Sequence, residues 1–148
     1  MFSINDLDVG KACETPFEFE VKDDETGEGT AIFISVIGSH AQVIADFIAK
    51  KVNERRTAAA MAEKRDPRGK QMHVVPVEDD IENNIEQIAL RVVAWRGISD
   101  TYSHEAAVKL CTVNPTIKDQ ILTMSENLRN FPTAFVKPSV STSDNQPG

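Results

Sequence analysis

The N-terminal part of the chain alternates between apolar and charged residues in the manner of β-strands. Residues 17–22 (FEFEVK) follow the period-two pattern of a strand with one buried face. The polar stretch 23–29 contains two glycines and suits a turn. The β-branched stretch 30–37 indicates a second strand that is covered on both faces. Residues 15–37 are therefore predicted to form a β-hairpin, which needs other elements to cover it because an isolated hairpin is marginal in water.

Four later segments carry apolar residues at the three- and four-residue spacing of α-helices. Helices are predicted over residues 39–65, 79–96, 103–113 and 115–130. Ser39 is the expected cap of the first helix. An apolar stripe marks one face of its first half and consists of Val43, Ile44, Phe47, Ile48 and Val52, with Lys51 among them. After Val52 the segment becomes alanine-rich, so its second half is expected to be exposed or to lie against a partner.

The segment 79–96 has the clearest helical seam. Its apolar residues recur at spacings of four, three, four and three: Ile81, Ile85, Ile88, Val92 and Trp95. Gly97 closes this predicted helix. Ser103 is expected to cap the third helix, and Asn114 followed by Pro115 is a strong signal for the start of the fourth.

These elements predict an α+β fold that is mainly helical, with an N-terminal β-hairpin packed against about four α-helices. Residues 1–131 are expected to form a single domain. Residues 70–78 connect two of the helices, and a short extended piece is expected there from Met72, Val74, Val75 and Val77. The Pro-, Ser- and Thr-rich residues 132–148 are expected to form a flexible tail.

The charge of the chain argues against two classes of partner. The 148 residues carry a net charge of −7, which repels phosphate backbones and anionic lipid, so neither nucleic acid nor membrane is expected as a partner. The basic residues within 50–70 are interrupted by acidic ones and lack aromatic neighbours, so they are interpreted as a solvated helix face. Residues 1–10 do not resemble a signal peptide, and no apolar stretch approaches the roughly 18 residues of a membrane span. A cytoplasmic protein is expected.

Candidate catalytic and metal-binding residues are few and scattered. His40, His73 and His104 fall on three different predicted segments without metal-ligand spacing. Cys111 lies on the apolar side of a predicted helix, where a buried, inert thiol is expected. No catalytic residue, metal or cofactor is therefore predicted, and a non-enzymatic protein is expected. An enzyme or metal protein that uses Cys111 and the histidines remains an alternative hypothesis.

Residues suited to protein binding are concentrated near the end of the seam. Trp95, Arg96 and Tyr102 lie within eight residues and belong to the types most enriched in binding hot spots. For Trp95 alone, burial in the seam is the favoured interpretation, whereas for Arg96 and Tyr102 a structural role and a binding role are equally favoured. Together with Ala59 and Met61 on the alanine-rich segment, these three residues are the predicted partner-binding residues.

The order of short segments along residues 15–131 resembles the tail assembly chaperones of siphophages and related prophages. The segments are 26–28 (TGE) at the hairpin turn, 93–98 (VAWRGI), 102–107 (YSHEAA), 115–117 (PTI), 120–121 (QI) and 130–131 (NF), with a charged Ala/Arg-rich helix between the first two. No single one of them is a specific motif. The ordered set in a chain of this length carries the resemblance.

This resemblance implies a bacteriophage protein that coats the long tape measure protein, keeps it soluble and helps to recruit subunits of the major tail protein. It implies that the protein acts in the cytoplasm of the infected bacterial host and is absent from the mature virion. It implies no catalytic residues. Families of this kind often make a longer, frameshifted product. The sequence does not decide whether the protein forms homo-oligomers. The runner-up hypothesis is a structural virion protein of the tail or the head–tail connector.

Overall fold

A computed structural model of the protein describes residues 1–65 and 77–133 and has the predicted α+β, mainly helical class. In chain order the elements are a 3₁₀ turn (Asn5–Leu7), α1 (Val9–Cys13), β1 (Phe17–Lys22), β2 (Gly29–Val36), α2 (Gln42–Arg65), α3 (Val77–Ala89), β3 (Val92–Arg96), α4 (His104–Val113), α5 (Pro115–Glu126) and a second 3₁₀ turn (Leu128–Asn130).

The predicted hairpin is confirmed as β1 and β2. The two strands pair antiparallel, with Phe19 opposite Ile34 in the register. Both of these residues are buried, as the alternating pattern requires. In the turn, the Asp23 carboxylate accepts hydrogen bonds from the backbone N–H groups of Glu25 and Thr26. This local capping explains why an acidic, glycine-containing stretch joins the strands.

The prediction of one helix over 79–96 is wrong in its second half. α3 ends at Ala89, and Val92–Arg96 form β3, which pairs antiparallel with β2 so that Trp95 lies opposite Ile34. The sheet has three strands in the order β1-β2-β3. The edge of β2 that faces away from β1 has backbone groups that need partners, and a valine-rich segment supplies them well. The hairpin was therefore an incomplete description of the sheet.

The predicted Ser39 cap is also wrong. α2 begins at Gln42, whose N–H donates to the Glu14 carboxylate, 2.8 Å away. Ser39 instead donates its backbone N–H to the carbonyl oxygen of Ser125, 3.0 Å away in α5. The start of α2 is thus stabilised by residues distant in sequence, which a local capping pattern does not reveal.

The caps of the last two helices are confirmed. The Ser103 hydroxyl accepts from the Ala106 N–H at 3.0 Å, and the Asn114 side chain accepts from the Ile117 N–H at 3.0 Å. Pro115 opens α5, where its missing N–H costs nothing. The predicted helix 115–130 ends earlier, at Glu126, and residues Leu128–Asn130 form a 3₁₀ turn.

The core lies between one face of the sheet and the helices α3, α4 and α5. α5 contacts both β1 and β2, while α3 and α4 pack against it and against each other. The largest fully buried side chains are Phe131, Ile34, Ile44, Ile88 and Ile121. Phe131 packs edge-on against Phe17, with 6.3 Å between the ring centroids.

Some of the predictions fall outside the described residues. These are residues 70–76 of the connector, with Met72, His73, Val74 and Val75, and residues 134–148 of the predicted tail. The prediction of extended structure at Val77 is wrong: this residue begins α3, because the acidic residues that follow it favour the first turn of a helix.

Candidate protein-interaction surface

α2 is anchored at its N-terminal end and exposes most of its remaining surface. Ala41, just before the helix, and Ile44 are fully buried, and Ile44 is the last residue of α2 that belongs to the core. Further along the helix Phe47 and Lys51 are only half-buried. Four large apolar side chains of α2 expose between 41% and 59% of their surface: Val43, Ile48, Val52 and Met61. The second half of α2 is exposed, as predicted.

The predicted stripe in the first half of α2 is not a buried face. Ile44 is its one fully buried member, and Val43 and Ile48 lie on either side of it. Val43 is turned about 100° away from Ile44, whereas Ile48 shares the side of Ile44 but lies one turn beyond the last core residue of the helix. The apolar residues that the sequence assigned to this face therefore remain available at the surface.

A groove of about 230 Å³ separates α2 from α3. Its α2 side is formed by Phe47, Ile48, Lys51, Val52 and Arg55, and its α3 side by Asp80, Asn83, Asn84 and Gln87. The first side is apolar at its base, and the second is lined by amides. The groove is open to solvent and joins directly to the exposed stripe of α2. Such a groove can receive an apolar side chain from another helix.

Two ion pairs border the groove. The Arg55 guanidinium binds the Asp80 carboxylate and ties α2 to α3 across the groove. The Lys51 ammonium lies 3.4 Å from the Glu54 carboxylate and 5.4 Å from the centroid of the Phe47 ring. Both pairs are partly exposed, so each contributes little to stability, but they fix basic groups beside the apolar base.

The charge of α2 is opposite to that of the protein as a whole. The helix carries six Lys or Arg residues and three Asp or Glu residues. The neighbouring α3 carries five acidic residues and no basic one. In a chain of net charge −7, α2 is therefore a basic surface beside acidic ones.

Trp95 and Tyr102, both predicted partner-binding residues, pack together. Their rings meet edge-on, with 5.3 Å between the centroids and 89° between the planes. The Trp95 indole N–H donates to the carbonyl oxygen of Asp100, and the Tyr102 hydroxyl donates to that of Val92, 2.7 Å away. Burial raises the pKa of Tyr102. These contacts hold the turn after β3 against the sheet.

Arg96 lies on the opposite, solvent-facing side of the sheet. Its guanidinium stacks on the Phe33 ring, 3.8 Å from the centroid, and donates to both carboxylate oxygens of Glu18. The pKa of Glu18 is lowered by these hydrogen bonds and by the positive charge of Arg96. Arg96 thus has an intramolecular role in the three-stranded sheet, apart from any contact with a partner.

The five predicted partner-binding residues do not form one patch. Trp95 and Tyr102 lie together, and Arg96 lies on the other face of the sheet. Ala59 and Met61 are both exposed on α2, where two residues along a helix point to different sides. Their role in binding a partner stays a prediction. Val43, Ile48 and Val52 were missed as surface residues because their spacing is also that of a core face.

The candidate residues for catalysis that the structure describes do not form a cluster. Cys13 and Cys111 are both buried and free, and burial raises the pKa of the Cys111 thiol to about 11. That thiol is protonated at neutral pH and is a poor nucleophile. His40 is exposed, and His104 lies 4.0 Å from the Glu86 carboxylate. Among residues 1–65 and 77–133, no group of three or more His, Cys, Asp or Glu side chains is placed to hold a metal ion.

A buried arginine follows α3. The Arg91 side chain is 4% exposed, and one of its terminal nitrogens donates to the Gln87 side chain at 3.1 Å. In the described part of the chain its Nε and its other terminal nitrogen have no hydrogen-bond partner. Burial lowers the pKa of Arg91, and the charge of Glu126 opposes this shift. Sequence analysis did not single out this residue.

No helix in residues 1–65 and 77–133 is long and apolar enough to cross a membrane. Compared with protein-family models, with curated proteins and with solved structures, the chain matches none of them.

Proposed function

We propose that this protein is a bacteriophage tail assembly chaperone that binds the tape measure protein through α2. In this role it keeps the tape measure protein soluble and helps to recruit tail tube subunits. It acts in the cytoplasm of the infected bacterium and is absent from the mature virion. The observation that carries the proposal is the exposure of large apolar side chains along α2, joined to an open groove beside α3.

The exposed apolar residues of α2 support binding to another polypeptide. Ile48 and Val52 lie one helical turn apart and line the groove. The apolar stripe of a second helix could therefore pack against these two side chains and insert a side chain into the groove beside them. Exposed apolar surface that is rimmed by polar groups is typical of protein-interaction sites. A protein that shields an elongated partner from aggregation needs surface of this kind.

The charge of the chain supports a solubilising role. A net charge of −7 keeps a small protein and its complexes apart from one another by repulsion. The ordered segments that resemble tail assembly chaperones, from TGE at 26–28 to NF at 130–131, supply the specific family. The exposed surface of α2 thus supports binding to a polypeptide, and the resemblance supports the choice of this family among protein-binding proteins.

Co-expression with the tape measure protein encoded by the same genome tests the proposal. We expect the tape measure protein to move from the insoluble to the soluble fraction when this chain is present, and to co-purify with it. The double substitution Ile48→Ser with Val52→Ser is expected to remove most of this gain, because it deletes exposed apolar surface without adding charge.

The matched control is Val113→Ser, which removes an exposed valine (68% exposed) from the end of α4. It is expected to retain the solubilising activity. Circular dichroism checks that all variants are folded. If the tape measure protein is equally soluble without this chain, the chaperone proposal fails. If the double variant solubilises it as well as the wild type does, α2 is not the binding surface.

Mass spectrometry of purified particles separates the chaperone from the structural virion protein. A tail or connector subunit must be present in stoichiometric amounts, whereas an assembly chaperone leaves before maturation. We expect the protein in lysates of infected cells and not in purified virions. Stoichiometric presence in the particle would overturn the chaperone proposal in favour of a structural one.

A further inference from the structure

We infer that the groove between α2 and α3 binds an amphipathic α-helix whose apolar stripe is flanked by acidic side chains. This inference rests on the proposed function, since it states the chemistry of the segment that α2 would bind. The structural basis is an exposed apolar stripe on a basic helix of an otherwise acidic protein.

The stripe has the length of a helix-binding site. Ile48 and Val52 are separated by one turn, and Ala59 follows Val52 by seven residues, so the three share one side of α2. Phe47 extends this side into the base of the groove. A partner helix that lies along α2 would place apolar residues at three- and four-residue spacing over this stripe.

Basic residues flank the stripe on both sides. Arg55 and Arg56 follow Val52 by three and four residues, so at 100° per residue they project to either side of the lengthwise stripe formed by Ile48, Val52 and Ala59. Arg55 is paired with Asp80, whereas Arg56 is exposed and has no ion pair among the described residues. Acidic side chains on both edges of a partner helix would meet these guanidinium groups.

The α3 side of the groove is lined by three amides and one carboxylate, on a helix that carries five acidic residues. Asn83, Asn84 and Gln87 present amides, which can donate to a carboxylate. Asp80 is the acidic residue on this wall, and its carboxylate binds Arg55. A basic partner would be repelled by Arg56, whereas the ammonium of Lys51 is already paired with Glu54.

The acidic surfaces outside α2 also favour an acidic partner helix that lies along α2. Outside α2 the chain carries a larger negative charge than its net −7, because α2 itself is positive. An acidic helix is repelled by those surfaces, which include the carboxylates of α3, and is attracted to α2. Electrostatic complementarity of this kind selects partner and orientation more than it adds affinity.

Two designed peptides test the inference. Each is about three heptads long and carries the same leucine stripe, with glutamate at the flanking positions in one and lysine in the other. Fluorescence anisotropy with the full-length protein is expected to show about tenfold tighter binding of the glutamate peptide. The difference is expected to shrink at roughly 0.5 M salt, because exposed charges are screened there.

Two pairs of variants locate the site. Val52→Ser is expected to weaken the glutamate peptide severalfold, and Val113→Ser on α4 is expected to leave it unchanged. Arg56→Glu is expected to abolish the preference for the glutamate peptide, while Lys109→Glu, the same charge change on α4, is expected to preserve it. Circular dichroism verifies the fold of each variant.

Equal binding of both peptides, or tighter binding of the lysine peptide, would overturn the inference. Equal effects of Arg56→Glu and Lys109→Glu would do so as well. If the wild type sediments as a dimer that Val52→Ser dissociates, and neither peptide binds, a second copy of the chain occupies the stripe and the inference is wrong. Solubilisation of the tape measure protein in the co-expression experiment is measured separately, so the failure of either idea is recognised independently of the other.

Discussion

Arg96 and Glu18 join the two outer strands of the sheet across the middle one. The Arg96 guanidinium donates to the two Glu18 carboxylate oxygens at distances of 3.2 and 3.0 Å while it lies over the Phe33 ring of β2. Stacking leaves the edge of the guanidinium free for this forked contact. One side chain thus connects all three strands on the solvent-facing side.

This pair makes stability depend on pH in one direction. The pKa of Glu18 in the folded protein is lowered from its ordinary value of 4.5 by the hydrogen bonds from Arg96. The carboxylate therefore stabilises the fold above the ordinary pKa, and that contribution is lost as the pH falls through the lowered one. We expect the melting temperature of wild type to exceed that of Glu18→Gln at neutral pH and the two to converge as the pH falls through the lowered pKa of Glu18.

Thermal melts from about pH 7 to about pH 3 measure this difference. Glu63→Gln on α2 controls for the loss of one exposed carboxylate. A constant gap between wild type and Glu18→Gln over the whole range would show that the ion pair does not contribute, and that the substitution acts through some uncharged contact.

Local signals predicted the elements whose ends depend on neighbouring residues. Ser103 and Asn114 cap α4 and α5 because their side chains reach N–H groups three residues later, an interaction that the sequence displays directly. The alternation in β1 likewise reports one buried face. The Glu14 carboxylate that stabilises the start of α2 lies 28 residues away in sequence, so no local pattern shows it.

β3 was missed for a related reason. Ile88, Val92 and Trp95 are spaced by four and three residues, which fits a helix, yet Val92 and Trp95 lie in a strand. Periodicity over so few residues is compatible with both structures, and the available edge of β2 decides between them. The surface of α2 was misjudged in the same way, because an apolar stripe does not reveal whether another element is present to cover it.

Within residues 1–65 and 77–133, two glycines have left-handed backbone, Gly27 and Gly97, and they differ in what surrounds them. Gly97 has φ of +86°, and a Cβ there would clash with the carbonyl oxygen of Ala31. Gly27 has φ of +70° with nothing within 4 Å of such a Cβ. Gly97→Ala is expected to lower the free energy of unfolding by about 3 kcal/mol or more, since backbone strain and a clash add together.

Gly27→Ala is expected to lower it by only about 1 kcal/mol, the cost of left-handed backbone at a non-glycine residue. Chemical denaturation followed through the Trp95 fluorescence measures both values. Similar losses for the two variants would mean that the turn after β3 moves readily away from Ala31, contrary to the close approach seen in the fold.

Arg91 is expected to give no more stability to the fold than an uncharged side chain of similar shape would. Its guanidinium is buried with two nitrogens lacking partners in the described part of the chain, so the desolvation of its charge is only partly offset by Gln87 and Glu126. Arg91→Met keeps an unbranched side chain and removes the charge. We expect the free energy of unfolding to stay the same or to rise.

Arg91→Ala is the companion variant, and it is expected to destabilise by about 2 kcal/mol because it also leaves a cavity. Urea denaturation distinguishes the two. A loss of more than about 1 kcal/mol for Arg91→Met would show that the guanidinium has a favourable partner, and that the charge is retained for stability.

The uneven anchoring of α2 predicts that its two halves open independently. Ala45 follows the buried Ile44 and donates its N–H to the Ala41 carbonyl oxygen, whereas Ala60 lies in the exposed half. Glycine in place of either alanine disfavours helix by about 1 kcal/mol. For Ala45→Gly we expect this cost in the global free energy of unfolding. For Ala60→Gly we expect it mainly in local opening.

Hydrogen exchange followed by mass spectrometry separates these outcomes. Ala60→Gly is expected to speed exchange of the amides in residues 57–64 severalfold with little change in global stability, and Ala45→Gly is expected to shift the global transition. Equal global losses would mean that the whole helix is coupled to the core. Local opening matters for binding, because a partner that orders the exposed half must offset its conformational entropy. The glutamate peptide is therefore expected to slow exchange in the same segment.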